Sequence, residues 1–253
     1  MNVFALNLKY GFKRLFADKM IWLLVAIPVG LIVINSLMED PFYFEGYNVM
    51  ASFNMPAFLL AFQFFNMGIV LHFLYHDITG DMRWRLRATP HSMMSYVLPA
   101  FVASWIFSIF LGLIIIFVSV VFLNAYLGSL LVLSIVFLLT SLLATALAML
   151  LFLAIDKFGV ANTLVYVISF GFMIISGFMF PLGDSDLAQF IMRDISPLGL
   201  GVQAIANSSA LGELAPWIDP DSTLVWRNIG ILAAMAVVVS LAAAILSRRS
   251  KKI

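Results

Sequence analysis

The chain has 253 residues, of which 63% are hydrophobic and only 11% are charged, and its formal net charge is +1. A mean hydropathy of +1.07 excludes a soluble globular domain, because folding could not hide that much apolar surface from water. The sequence contains no cysteine, which excludes disulfides, thiolate metal sites and cysteine nucleophiles.

Hydrophobic runs long enough to cross a membrane follow one another along the chain. Each run gives roughly 28 Å or more of helix, against a hydrocarbon core of ~30 Å. The six predicted crossings are 20–38, 50–75, 97–123, 130–155, 161–180 and 224–246. These runs predict an all-α polytopic membrane protein with six transmembrane helices, forming a single transmembrane domain over residues 1–253.

Residues 1–19, before the first crossing, are predicted to form an amphipathic helix. Its apolar stripe consists of Phe4, Leu8, Phe12 and Leu15. Lys9 and Lys13 share a different face, so the helix is expected to lie in the membrane interface with these lysines near lipid phosphates. The alternative is a basic flank whose only role is to fix the topology of the chain.

Residues 77–90, between the second and third crossings, concentrate charge in a chain that is otherwise poor in it. A helix here would carry one apolar stripe, made of Tyr75, Ile78, Met82 and Leu86. Asp81 stands four residues before Arg85, which is the favourable order for an ion pair on a helix, and Trp84 lies between them. The stripe and the pair would occupy different faces.

The same segment has a basic edge and defined ends. Arg83 and Arg87 are four residues apart and present two positive charges on a separate side. Gly80 weakens the helix near its start, and Thr89-Pro90 ends it, because the residue before proline disfavours the helical conformation. The pattern predicts a short cytoplasmic helix suited to contact with another protein. The alternative is a loop whose basic residues only set topology.

Residues 181–222 form the largest segment outside the crossings, and they are not a polar linker. Ser185 is a suitable N-cap for a helix whose apolar stripe is Leu187, Phe190, Ile191 and Ile195. Residues 198–211 are apolar but too short to cross, which is typical of interfacial or re-entrant helices. The fifth crossing is therefore expected to be a broken helix that turns back on the outer side.

The basic residues define an orientation. If the N-terminus is inside, every lysine and arginine except Arg193 and Arg227 lies on the cytoplasmic side, and most acidic residues lie outside. This bias places both termini in the cytoplasm and the chain in the cell membrane. Arg227, at the outer start of the sixth crossing, is expected to reach lipid headgroups.

Few residues in the crossings have side chains that could act in catalysis or bind a ligand. No G-x-x-x-x-G-K-[ST] phosphate loop is present, so this chain cannot be an ATPase motor. His72 and His76 are four residues apart and could share a metal or haem, but such isolated pairs are more often interface residues. Polar residues that either join helices or line a path are Asn35, Asn54, Gln63, Asn66, Thr140, Ser141, Thr145 and Asn162.

Three motifs together resemble the membrane subunits of type-2 ABC exporters, over nearly the whole chain. The charged segment matches acid–x–x–G–x–x–x–R-L–x–x–T-P through Asp77, Gly80, Arg85, Leu86, Thr89 and Pro90, within one residue of spacing. An S-G-x-x-x-P turn is matched by Ser176, Gly177 and Pro181, and a later S-P-L by Ser196, Pro197 and Leu198. The family's glutamates in the charged segment are aspartates here, Asp77 and Asp81.

The resemblance implies a coupling helix that docks on a separate cytoplasmic ABC ATPase. The residues implied are Asp77, Ile78, Asp81, Met82, Arg83, Trp84, Arg85, Leu86 and Arg87. It also implies an outer gate made of Ser176, Gly177, Pro181, Phe190 and Pro197. Two ATPase copies would bind ATP and magnesium, so this chain needs no cofactor of its own, and a second permease subunit would complete the path. Lipids are further partners, and nucleic acid is not.

The expected function is export of an amphipathic or lipophilic cargo, such as a peptide, drug or lipid-linked molecule. The absence of charge from the middle of the crossings favours such a cargo over ions. One alternative is a membrane-embedded metal- or haem-binding enzyme using His72 and His76; another is a non-transporting sensor subunit. The sequence leaves open the cargo, the direction of transport and whether the two permeases are identical.

Single cysteines can test the orientation, since the chain has none of its own. Ser92→Cys and Ser250→Cys are expected to resist an impermeant thiol reagent in intact cells, whereas Ser185→Cys and Ser209→Cys should react. The reason is that the first pair lies on the predicted cytoplasmic side and the second pair outside. Labelling of Ser92→Cys from outside would overturn the whole arrangement.

Overall fold

The computed structural model describes residues 3–17, 26, 29–30, 33–34, 43–44, 47–79, 94–177, 185–208 and 221–249. Its helices are α1 (Val3–Ala17), α2 (Val49–Thr79), α3 (Met94–Leu123), α4 (Leu130–Ala154), α5 (Phe158–Ile175), α6 (Asp186–Phe190), α7 (Pro197–Ala206) and α8 (Ser222–Arg249). A π-helical turn, Ile191–Ile195, continues α6 towards α7.

Five helices in the described part of the chain are long and apolar enough to cross a membrane. They cover Asn54–His76, Val97–Leu123, Leu130–Ala154, Phe158–Ile175 and Ser222–Ser247. The prediction of an all-α polytopic membrane protein is therefore confirmed. The first predicted crossing, 20–38, lies almost wholly outside the described residues, so the count of six stays a prediction.

Helix α5 ends before the predicted end of the fifth crossing. The expected range was 161–180, whereas α5 begins at Phe158 and ends at Ile175. Gly177 then adopts a φ of 72°, and its N–H donates to Ile174 O at 3.0 Å. The helix therefore ends before a glycine that tolerates the left-handed conformation, although apolar composition continues to Phe180. Residues 178–180 lie outside the described residues, so the predicted end of the crossing stays a prediction.

Two contacts define the ends of the helix bundle. At one end the N–H of Asn48 donates to Asn124 O at 3.1 Å, so the start of α2 meets the end of α3. At the other end the Tyr75 hydroxyl donates to Ile155 O, so the end of α2 meets the α4–α5 connection. We call the first the re-entrant end, because α7 lies there, and the second the basic end, because the charged segment 77–90 begins there.

Helix α2 is the centre of the bundle and packs against α3, α4, α5 and α7. Its fully buried side chains include Leu59, Leu60, Phe64 and Met67. The Ser169 hydroxyl of α5 lies 2.9 Å from Phe64 O, and the Ser108 hydroxyl of α3 donates to Gln63 Oε1 at 2.7 Å. Such polar links select helix partners, because in lipid the hydrophobic effect does not drive helices together.

A short antiparallel hairpin precedes α2 and was not predicted. Its strands are β1 (Tyr43–Phe44) and β2 (Tyr47–Asn48). Asn48 also starts α2, since its Oδ1 accepts from the Ala51 N–H at 3.0 Å. Strands of two residues leave too little alternation in a sequence to be recognised.

Helix α7 is too short to cross a membrane and lies buried within the bundle. It is ten residues long and packs against α2, α4, α5 and α8. Two glycines permit this: a Cβ on Gly201 would lie 2.6 Å from Leu60 Cδ1, and a Cβ on Gly199 would lie 2.0 Å from Met192 O. Burial of a short helix among spanning helices is typical of a re-entrant rather than an interfacial helix.

Gly199→Ala is expected to lower the unfolding temperature of the protein in detergent. The added methyl group would meet a backbone carbonyl oxygen that no side-chain rotation can move, and overpacking of this kind costs about 1–3 kcal/mol. Gly230→Ala in α8 is the matched control, because nothing lies within 4 Å of a Cβ there. Alanine favours a helix over glycine by up to about 1 kcal/mol, so the control should be neutral or stabilised. Equal unfolding temperatures for both variants would contradict this packing of α7.

Candidate functional site

The predicted coupling segment leaves α2 directly at the basic end. Asp77 and Ile78 lie in the last turn of α2, which ends at Thr79, although their side chains lie outside the described residues. The other predicted coupling residues also lie outside the described residues: Asp81, Met82, Arg83, Trp84, Arg85, Leu86 and Arg87. The structure therefore gives the origin of the segment, and its contact with an ATPase stays a prediction.

The N-terminal helix is present as α1, and its apolar stripe packs against protein. Leu15 is 1% exposed, and Leu8 and Phe12 pack half-buried against the core. The Phe16 ring makes edge contacts with Phe107 and Phe110 of α3 at centroid distances of 5.2 and 5.3 Å. The side chain of Phe4, the first residue of the predicted stripe, lies outside the described residues.

This packing changes the expected role of the stripe. A Cβ on Gly11 would lie 3.3 Å from Ala103 Cβ and 3.6 Å from the Phe73 ring, so α1 approaches α2 and α3 closely. The stripe was expected to face lipid, but helical spacing alone cannot distinguish lipid from an apolar protein surface. Lys9 and Lys13 are exposed, and their contact with lipid phosphates stays a prediction.

The segment between α5 and α8 is built from two capped helices. Ser185 Oγ accepts from the Ala188 N–H at 3.3 Å, as predicted for an N-cap. Ser196 Oγ accepts from the Gly199 N–H at 3.2 Å, and Pro197 occupies the first turn of α7. The π-helical turn between these helices belongs to a class of distortion that is frequent at functional sites.

The two helices face different surroundings. Leu187, Phe190 and Ile195 are 70%, 56% and 47% exposed, so the predicted apolar stripe lies on the outside of the chain. Leu198 and Leu200 of α7 are fully buried. A surface helix with an apolar exterior is thus followed immediately by a buried one.

The structure brings some predicted gate residues together and separates others. Ser176 and Gly177 end α5, and the Ser196 hydroxyl lies 3.5 Å from Phe172 O, so the end of α5 meets the start of α7 at Pro197. Phe190 instead lies exposed on α6. Pro181 lies outside the described residues.

Helix α8 holds the re-entrant segment in place by polar contacts. An Arg227 guanidinium nitrogen lies 2.8 Å from an Asp194 carboxylate oxygen in the π-helical turn. Asn228 Nδ2 lies 3.5 Å from both Leu200 O and Gln203 Oε1 of α7. The expectation that Arg227 reaches lipid headgroups did not anticipate this ion pair, because the sequence shows only two opposite charges on one predicted side of the membrane.

A cavity of about 360 Å³ lies where α2, α5, the π-helical turn and α7 meet. Its lining includes Asn54, Ser176, Gly177, Met192, Val202 and Gln203. Of the polar residues predicted to line a path, Asn54 thus lies beside two of the predicted gate residues. Sequence reasoning did not find Met192, Val202 or Gln203, because no periodicity relates them to α2.

Helices α2 and α5 also share an accessible face along their length. Near the re-entrant end it carries aromatic rings, with centroid distances of 5.9 Å between Phe62 and Phe65 and 5.1 Å between Phe65 and Phe170. Farther along, Tyr166 is 37% exposed and Asn162 is half-buried. Aromatic and polar groups therefore occupy a surface in the middle of two spanning helices.

His72 and His76 lie on α2 towards the basic end of this face. Both are exposed, their ring centroids are 6.2 Å apart, and the His72 ring contacts Phe158 at 5.8 Å. Among the described residues, no group of three histidine, aspartate or glutamate side chains is placed to hold a metal ion. The described residues therefore offer no third ligand for a metal held by His72 and His76, as the metal- or haem-enzyme alternative would need.

Most other polar residues of the crossings join helices or bond their own backbone. Trp105 Nε1 donates to Ser141 Oγ at 3.0 Å, linking α3 to α4. Asn66 Nδ2 lies 3.4 Å from Ser108 Oγ, linking α2 to α3. Thr140 and Thr145 are buried and donate to carbonyls one turn earlier in α4. Asn35 lies outside the described residues.

These features define a helical, multi-span membrane protein with a short buried helix before its last described crossing. The sequence matches the family described as ABC-2 family transporter protein over residues 20–245. The match covers most of the chain, and the chain belongs to this family. No match was found among curated proteins. Membership confirms the resemblance: the chain is a permease component of an ABC transporter and works with an ABC ATPase subunit.

Charge reversal can test the anchor between α8 and the π-helical turn. Arg227→Asp is expected to lower the unfolding temperature, and adding Asp194→Arg should recover most of the loss. The two side chains are 46% and 31% exposed, so the pair contributes on the order of 0–1 kcal/mol and should weaken with salt. Arg193→Asp, which reverses the neighbouring exposed charge, is the control. A double variant no more stable than Arg227→Asp would argue against the pair.

Proposed function

We propose that this chain is the transmembrane permease subunit of an ATP-driven exporter of amphipathic or lipophilic cargo, such as a peptide, drug or lipid-linked molecule. The observation that carries the proposal is the position of α7, buried at the end of the bundle opposite the origin of segment 77–90. Helix α2 packs against α7 and runs to Thr79, so one continuous helix connects the two ends.

The accessible face of α2 and α5 favours a path formed with a second permease subunit, identical or related. Polar side chains such as Asn162 and the Tyr166 hydroxyl are costly to leave in hydrocarbon. A facing subunit, or water held between two subunits, would solvate them. The aromatic rings of Phe62, Phe65 and Phe170 would offer apolar contact area along the same path.

The chemistry of the crossings favours a cargo with little charge. Between their ends, α2, α3, α4 and α5 contain no lysine, arginine, aspartate or glutamate. An ionic cargo would need partners of opposite charge inside the membrane. Aromatic rings, amides and hydroxyls instead provide apolar contacts and neutral hydrogen bonds.

ATP and magnesium would act on the partner ATPase, present in two copies, with this chain holding no cofactor of its own. ATP binding would close the two ATPases and move the coupling segments, and α2 would transmit that movement to α7. The basic residues support an arrangement in the cytoplasmic membrane with both termini inside. Direct assays on the reconstituted complex would show cargo movement that depends on ATP hydrolysis.

Segment 77–90 provides the sharpest test of coupling. Met82→Asp and Leu86→Asp are expected to lose the copurifying ATPase or its cargo-stimulated turnover, because an unpaired charge buried in a contact costs several kcal/mol. Arg83→Ala and Arg87→Ala should be milder, about 1 kcal/mol or less each, since charges at a rim stay solvated and screened. The measurement is pull-down of the ATPase together with ATP hydrolysis at low and high salt.

Membrane insertion of all four variants is the control, because no spanning run is altered. The two aspartate variants should lose ATPase binding or stimulated turnover. The two alanine variants should mainly make ATPase binding and hydrolysis more sensitive to salt. Equal and mild effects from both pairs would contradict docking through the apolar stripe. Arg83, Arg85 and Arg87 would then act as topology signals only.

A further inference from the structure

We propose that the cavity at the re-entrant end binds a neutral hydrogen-bonding group, an amide or an alcohol, carried on an apolar body. The cavity has a volume of about 360 Å³ and lies between α2, α5, the π-helical turn and α7 of one chain. Pockets for small molecules begin at about this size, so it would hold a small molecule or one part of a larger one.

Uncommitted amide groups give the cavity its chemistry. Among the described residues the Asn54 side chain meets no hydrogen-bond partner, and it lines the cavity from α2. Among the described residues, Gln203 Oε1 has a single long contact, 3.5 Å from Asn228 Nδ2, and Gln203 Nε2 meets no acceptor. An amide that is shielded from water is stabilised when its donor and acceptor atoms form hydrogen bonds. A ligand in this cavity would supply these hydrogen-bond partners.

The pattern of donors and acceptors specifies the ligand's group. Asn54 offers one acceptor and one donor group, and Gln203 offers a donor group. The Ser176 hydroxyl, which donates to Met173 O at 2.9 Å, also lies at this cavity. A group that both donates and accepts, as an amide or an alcohol does, can satisfy this set better than a group that only accepts.

The walls exclude charge. None of the described residues that line the cavity is ionisable, and its remaining described surface includes Ala57, Met192 and Val202. The nearby Arg227 is already paired with Asp194 at 2.8 Å, so it does not supply a free positive charge. A carboxylate or a phosphate would lose its hydration without gaining a counter-charge, whereas a neutral group avoids that penalty.

The apolar wall can adapt to different ligand bodies. Met192 has an unbranched, flexible side chain, and it belongs to the π-helical turn rather than to a spanning helix. The opposite wall is rigid, because Ala57 is 5% exposed in the most buried helix of the bundle. A role for this site as a step in export rests on the proposed function, whereas binding itself can be measured on the isolated chain.

A thiol reporter inside the cavity can test binding, since the chain has no cysteine. In purified Val202→Cys protein, the probe octanamide is expected to slow modification by N-ethylmaleimide, and octanoate of the same length should protect much less. Asn54→Leu and Gln203→Leu, each combined with Val202→Cys, should weaken octanamide binding by about 2- to 10-fold, the effect of one hydrogen bond. Ala57→Met, which narrows the cavity, should also reduce the protection of Val202→Cys by octanamide. It replaces Asn54→Leu or Gln203→Leu in the test if either variant does not fold.

Ser129→Cys is the matched control, because it reports on a different cavity, of about 340 Å³, beside α4 and α8. Octanamide should not protect it. Equal protection at both positions, equal protection by octanoate, or full protection in both leucine variants would overturn the site. Octanamide binding by a chain whose complex moves no cargo with ATP would overturn the proposed function instead. Loss of binding with transport intact would overturn only this inference.

Discussion

A helix that stops inside a membrane protein leaves backbone N–H and C=O groups without partners in the helix, and hydrocarbon supplies none. The arrangement of this chain depends on how α7 meets that constraint. Ser196 accepts a hydrogen bond from the first turn of α7, and Asn207 Nδ2 donates to Gln203 O at 2.9 Å near its end. Asn228 of α8 brings its amide nitrogen to 3.5 Å from Leu200 O. These contacts supply partners at both ends and in the middle of α7, and the cavity lies beside this short helix.

The second determinant is the way α2 is fastened at three levels. Near its start the Ser52 hydroxyl accepts from the Tyr126 N–H at 2.8 Å, and midway Gln63 accepts from Ser108 at 2.7 Å. At the basic end Tyr75 donates to Ile155 O. These contacts hold the start, the middle and the end of α2 against its neighbours, although Pro56 removes one backbone donor within the helix.

The sequence predicted what composition and local pattern control. The apolar run at 130–155 forms helix α4, whose two ends lie within one residue of the predicted ones. The run at 97–123 forms helix α3, which ends as predicted and starts three residues earlier. The Ser185 cap needed only a small polar residue before a helical stripe. The packing of α1 on α3, the π-helical turn and the Arg227–Asp194 pair depend on contacts between distant segments, which periodicity does not encode. The cavity was missed for the same reason, although Asn54 was singled out among the polar residues.

The unequal lengths of the spanning helices have a consequence for the surrounding lipid. Helix α5 has 18 residues and extends about 27 Å, whereas α3 has 30 residues and extends about 45 Å. A hydrocarbon core of ~30 Å exceeds the length of the first helix and is less than that of the second. The longer helix can tilt or project from the core, and a thinner bilayer beside α5 would match its described length. The shortest distance between the two leaflets would then lie next to the accessible face of α2 and α5. Bilayer thickness would then act on this protein as a mechanical variable, independent of any bound partner.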